Sequence, residues 1–152
     1  MASTISAANL KVKITEEIIL NGKDQGASNT LNIGSINEIS KRIVTTDSTN
    51  ATTVISFGDV PAGGTYVTAN VRYVRITNLD DTNFGILRIT GDASTDFTVR
   101  LDPSSSYIMT STSTTGLDDY ADISGTNIED LVAVSAKASS AAIDLEIFVA
   151  SV

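Results

Sequence analysis

Three pairs of adjacent carboxylates, Glu16 with Glu17, Asp80 with Asp81 and Asp118 with Asp119, are the residues with most to offer chemically: a general acid and a partner carboxylate of the glycosidase kind. Nothing in the chain assists them. It has no histidine and no cysteine, so the commonest general base, the thiolate nucleophile and the commonest transition-metal ligands are missing together. Neighbours on a strand point to opposite faces, and the pairs otherwise sit among turn residues. The expectation is therefore no catalytic site and no enzyme. Asp80, Asp81 and Asn83, like Asp118, Asp119 and Asp122, look like fragments of an oxygen-ligand loop for calcium. Neither has the D-x-[DN]-x-[DN]-G order and distal Glu of an EF-hand. The first group is turn chemistry and the second a solvated loop, so no metal is expected. GDVPAGG (58–64) and TGDAS (90–94) lack the Lys and following helix of a phosphate loop, and no cofactor is expected.

Arg72, Arg75, Arg88 and Arg100 are four of the ten cations. All fall in apolar alternating segments, where Arg72 and Arg88 are expected on strands that neighbour across the Asn78 to Asn83 turn, in a cross-strand ladder paired with acidic residues, as solvated sheet-face charges or an intersubunit ion-pair face. The formal charge is −8. Phosphate recognition draws on clustered Lys and Arg, so nucleic acid and anionic membranes are poor partners and another protein is the better one. No apolar run reaches the ~20 residues of a membrane helix. The opening MASTISAANL lacks the basic start and apolar stretch of a secretion signal, which sets the expectation of synthesis in, and retention by, the cytosol. With four Phe, four Tyr and no Trp, platforms for stacking sugars or bases are disfavoured, and no small-molecule substrate is expected.

The elements that position these residues are strands. Serine (18) and threonine (20) fill a quarter of the chain, a bias towards β structure with polar outer faces. Val71 to Thr77 splits into Val71, Tyr73, Arg75 and Thr77 on one face and Arg72, Val74 and Ile76 on the other. Asn78 to Asn83 supplies a reversal, and Phe84 to Thr90 returns. Ile143, Leu145, Ile147 and Val149 alternate with Asp144, Glu146 and Phe148, which with Leu131 to Ala138 predicts a closing hairpin in which Val132 and Val134 meet that apolar face. Leu10 to Leu20 changes phase at Glu16 and Glu17, predicting a bulge or a strand that changes sheet. Asn21, Gly22 and Asp24 mark a turn, GKDQGASN a loop, and Thr30 to Ile33 a short strand. Ser35 to Thr46 has Ile36, Ile39 and Ile43 at helical spacing but β-branched residues at its end, so strand is expected with a helical turn as the option for its first half.

About eight to ten strands at roughly 12-residue spacing predict an all-β fold, a two-sheet antiparallel β-sandwich, with an eight-stranded jelly roll fitting the count best. Residues 1–9 are expected to be a flexible N-terminal arm and residues 10–152 a single sandwich domain. The longest excursion, Ser111 to Thr126, has Leu117, Tyr120 and Ile123 as its anchors. Ile5 and Leu10 near the start and Leu117 and Tyr120 in the loop are the expected partner contacts.

YVRITNLDDTNFGILRITGDASTDFTVRLDPSSSYIM (73–109) resembles a segment of small virion proteins of tailed phages, cyanophage-like in texture. Those proteins read N-L-D-x-T-N-[FY], a strand, a small-residue turn and F-x-[VIL]-x-L-x-P. The matching residues are Asn78, Leu79, Asp80, Thr82, Asn83 and Phe84, then Phe97, Val99, Leu101 and Pro103. The resemblance implies a jelly-roll accessory subunit, a head decoration or cement protein. Such a subunit is often a homotrimer, sits on the capsid exterior of the virion and contacts the major capsid protein or neighbouring subunits. The alternative is a tail-associated structural or receptor-binding module on the same sandwich.

Overall fold

A computed structural model of the chain describes residues 5–92, 96–117, 120–121 and 128–152. Two compact units divide at Asn37 and Glu38, not at residues 9 and 10 as the composition led us to expect, because the first strands pair with each other.

The first unit is an antiparallel ribbon. Strand β1 (Ala8–Glu16) pairs with β4 (Ala27–Ile36), and β2 (Ile19–Leu20) with β3 (Lys23–Asp24). Asn21 and Gly22 turn the tip with φ of 52° and 74°, the left-handed pair that lets a two-residue loop follow the twist of its strands. Leu10 stands opposite Ile33, Val12 opposite Leu31 and Ile14 opposite Asn29, so the apolar residues share one face and Lys11 and Lys13 the other. The phase change at Glu16 and Glu17 separates β1 from β2; it is not a strand crossing between sandwich sheets. Pairing with β1 also lengthens the expected four-residue strand to the ten residues of β4, and no helical turn forms before Thr46.

The second unit holds β5 (Glu38–Thr46), β6 (Thr52–Gly58), β7 (Thr65–Val67), a 3-10 turn (Thr68–Asn70), β8 (Val71–Asn78), β9 (Gly85–Gly91), β10 (Asp96–Leu101), β11 (Ser106–Thr110), β12 (Tyr120–Ala121), β13 (Ile128–Glu129), β14 (Leu131–Ala138) and β15 (Ile143–Ser151). One sheet runs β11-β8-β15-β5 and the other β10-β9-β14-β6-β7. All pairings are antiparallel except the short β7, which lies parallel to β6. The short β12 falls within the expected Ser111 to Thr126 loop and pairs with β13 just beyond it. The architecture is the expected all-β, two-sheet antiparallel sandwich.

Its wiring differs from the expected hairpins in two places. β8 bonds to β11 and β15 while β9 bonds to β10 and β14, so the polar stretch Asn78 to Asn83 crosses between sheets. β14 bonds to β6 and β9 while β15 bonds to β5 and β8; the Ser139 and Ser140 reversal likewise changes sheet. Val134 is fully buried but Val132 is 42% exposed and does not meet the apolar face of β15. Both inner faces bury aliphatic side chains, with Val74, Ile76, Leu145 and Ile147 from one sheet packing in the same core as Ile55, Leu87, Ile89 and Val134 from the other.

Candidate functional site

Two polar side chains of β8 point into the sandwich beside Val74 and Ile76, and both bond main-chain atoms. Asn78 is fully buried. Its amide donates to the carbonyls of Asn83 (2.8 Å) and Leu101 (3.3 Å) and its oxygen accepts from the Asp80 N–H (3.0 Å). Asp80 in turn accepts from the N–H groups of Thr82 (2.8 Å) and Asn83 (2.5 Å). The Leu79 N–H donates to Asp144, the Asn78 N–H to Ser105 and the Ser104 N–H to Asp80. The Asn78 to Asn83 motif is thus a knot that fastens one end of both sheets, and its aspartates serve the backbone. Asp118, Asp119 and Asp122 lie outside the described residues. Among the described residues no group of three or more acids is placed to hold a metal ion.

Arg72 corrects a second expectation. It is 9% exposed and donates to the carbonyls of Ala69 (2.6 Å), Val71 (3.4 Å) and Thr114 (3.2 Å), whereas Arg88 lies in the opposite sheet and reaches Asp96 at 3.8 Å. No Arg72–Arg88 ladder exists. Burial lowers the Arg72 pKa from its ordinary value, and the three carbonyls supply negative dipoles in place of a carboxylate. The Thr114 contact pins the start of the long loop, and Gly116 with φ of 65° lets it pass: a Cβ there would meet the Thr68 carbonyl at 2.6 Å.

The outer face of the β11-β8-β15-β5 sheet is where charge and apolar surface meet. Since Leu145, Ile147 and Val149 are buried, Glu146 and Phe148 face outward. Glu146 accepts from Lys41 (2.9 Å) and Arg75 (2.6 Å); the hydrogen bond from Lys41, then that from Arg75, hold its carboxyl below the ordinary glutamate range. Arg75 also donates to the Thr77 hydroxyl at 2.7 Å. Tyr73 meets Phe148 edge to face, centroids 5.9 Å apart. Along β5, which pairs with no further strand on its outer side among the described residues, Ile39 and Ile43 are 59% and 60% exposed and share the outward face with Lys41, while Arg42 takes the opposite face. Arg42 donates to the Val54 carbonyl of the other sheet at 2.5 Å; a charge placed so at a sheet edge discourages indiscriminate strand pairing. The remaining central arginine, Arg100, bonds Asp102 at 2.7 Å and covers the Phe84 ring at 3.8 Å.

The ribbon of the first unit carries a further exposed apolar group. Ile18, Ile19 and Leu20 at its tip are 52%, 76% and 58% exposed. A concavity of about 630 Å³ lies there, lined by Glu16, Glu17, Ile18, Ile19 and Asp24 with small neighbours.

No protein-family profile, curated protein or solved structure matches the chain. Function therefore rests on these surfaces. Of the four expected contacts, Ile5 is 67% exposed and Leu10 half-buried in β1. Leu117 is fully buried in the sandwich core: it anchors the loop from within and offers a partner nothing, the correction arising because an apolar residue in a polar loop fits both roles. The Tyr120 side chain and Ile123 lie outside the described residues. The sequence reading missed Ile39, Lys41, Arg42 and Ile43, although a spacing of four is also an even number and puts Ile39 and Ile43 on one face of a strand as well as one face of a helix.

Proposed function

We propose that the chain is a structural subunit of a tailed-phage particle, a decoration or cement protein that binds the outside of the head as a homotrimer and acts without catalysis. The strand order carries this reading. Numbered along the second unit, its eight long strands stand in the order 6-3-8-1 in one sheet and 5-4-7-2 in the other, which we read as the double Greek key of a jelly roll, an architecture shared by capsid and lectin domains. Its most constrained connection is the Asn78 to Asn83 knot, the motif on which the resemblance to virion accessory proteins stands. The acidic sandwich suits a protein partner over packaged nucleic acid. Each contact between capsomers would favour the closed lattice by mass action, and modest contacts accumulate over a symmetric shell.

The test is attachment to expanded heads. The intact chain should co-sediment with heads and raise their resistance to disruption, and a chain lacking residues 1–7, which precede β1, should melt as the intact one does yet fail to attach. Normal attachment of the truncated chain removes the role of the arm, and no attachment of the intact chain removes the head reading. The exposed ribbon tip favours the second reading, a tail module, which binding to host cells in place of heads would select.

A further inference from the structure

Strand β1 carries opposite charges towards its two ends. Lys11 and Lys13 lie near its start, with Glu16 at its close and Glu17 just past it, all four exposed and in no ion pair among the described residues. Its partner β4 carries no charge from Ala27 to Ile36. On its other side β1 pairs with no strand among the described residues. One register runs along the ribbon, with Leu10 opposite Ile33, Glu16 opposite Ala27, Ile19 opposite Asp24 and Leu20 opposite Lys23. Within it the Gln25 N–H donates to the Ile18 carbonyl at 2.9 Å, which makes the even-numbered residues those bonded to the facing strand. Lys11, Lys13, Thr15 and Glu17 therefore turn their main-chain N–H and C=O groups to the open edge.

We propose that the open edge of β1 pairs antiparallel with the same edge of a second copy of this chain, joining two ribbons into one four-stranded sheet. Antiparallel pairing sets the cations of each copy against the acids of the other, whereas parallel pairing in register sets like against like. With Thr15 opposite Thr15 of the second copy, Lys13 faces Glu17 on both sides of the two-fold axis and Lys11 lies diagonal to Glu17. On the other face Leu10 meets Leu20 and Val12 meets Ile18, which gives the exposed tip residues apolar neighbours. Centring the pair on Lys13 or on Glu16 would oppose like charges, and centring it on Ile14 would set Val12 against Glu16. A second copy is the fitting occupant because this edge is its own complement: its lysines deter other strands, as charges on free edges do, and its acids answer those lysines. A two-stranded ribbon is marginally stable by itself in water, and added strands relieve that. Leu10 to Leu20 extends about 36 Å, and a sheet edge about 10 Å thick then buries roughly 700 Å² counted on both partners, a size that gives reversible association.

The contact does not rest on the proposed place in a particle. Sedimentation velocity of the full chain from roughly 1 μM to 1 mM should show the smallest species doubling reversibly, with a midpoint in that range. K13E and E17K should each move the midpoint at least ~10-fold higher. An equimolar mixture of the two should associate again, since at the facing positions the K13E chain offers two acids and the E17K chain two cations. The chain has no cysteine, so T15C reads the register: two such residues opposite each other lie within disulfide reach. Mild oxidation should link T15C chains and leave S28C chains, altered at the facing position on β4, unlinked. Thermal melts establish that every variant is folded. A wild-type chain whose smallest species never doubles, a folded K13E or E17K chain that associates as the wild type does, a mixture that fails to recover, or T15C chains that link no faster than S28C chains overturns the proposal. Head attachment is measured separately, so loss of either result leaves the other legible.

Discussion

The residue that most repays attention is Asn78, because a side chain fully out of water uses its amide and its oxygen on three backbone groups. Removing it takes a hydrogen bond from the Asn83 and Leu101 carbonyls and from the Asp80 N–H. A buried polar group left without a partner costs about 1–3 kcal/mol, so Asn78→Ala should lose about 3 kcal/mol in a urea titration. Asp81→Ala, three residues on and exposed, removes only a bond to its neighbour Thr82 and should stay within about 0.5 kcal/mol of the wild type. Equal losses would place the knot's strength in its loop composition and not in the buried amide. The same logic distinguishes Arg72 from Arg88: one charge in strand context closes the sandwich on carbonyls, the other sits in solvent beside Asp96.

Among the elements, β15 is central, lying between β5 and β8 with Ile143, Leu145, Ile147 and Val149 all buried. Leu145→Asp puts an unpaired charge where no water reaches; the expected result is loss of the cooperative melt and of the β-sheet circular-dichroism band. A soluble variant that melts cooperatively would mean the faces are assigned the wrong way round. That face was legible in the sequence, as was the division of β8 into Arg72, Val74 and Ile76 against Tyr73, Arg75 and Thr77, since alternation alone decides which side a residue takes. Partners were not legible. Alternation does not specify which strand supplies the hydrogen bonds, and a polar connection such as Asn78 to Asn83 serves an arch between sheets as well as a hairpin within one. The ribbon is the opposite case: Asn21-Gly22 between apolar runs is a strong local hairpin signal, but the polarity of GKDQGASN hid strands that pairing with β1 maintains.

At the scale of the whole molecule, the dependence of stability on pH below pH 8 should lie at the acid end. The chain has no histidine, so the usual titration between pH 5 and 8 is missing. Among the described residues, three carboxyls are held below their ordinary ranges. Asp47 is lowered by the N–H groups of Asn50 and Thr49, Asp80 by those of Asn83 and Thr82, and Glu146 by hydrogen bonds from Lys41 and Arg75. A carboxyl with a lower pKa folded than unfolded contributes its full stabilisation above its unfolded value, near 4. That contribution is lost as the pH falls through the folded value. Relief of self-repulsion as the charge of −8 is neutralised towards the pI near 4.3 acts in the opposite direction, but repulsion spread over a surface is weaker than bonds directed at single carboxylates. The melting temperature should therefore be flat from pH 8 to about 5 and decline below about 4. The triple variant Asp47→Asn, Asp80→Asn and Glu146→Gln keeps acceptor oxygens but removes the charges. It should melt below the wild type at pH 7 and show a shallower acid decline, the two curves converging as the wild-type carboxyls protonate. Parallel curves would assign the acid transition to other carboxylates and leave these three as turn and sheet-face acceptors whose charge is immaterial to the fold.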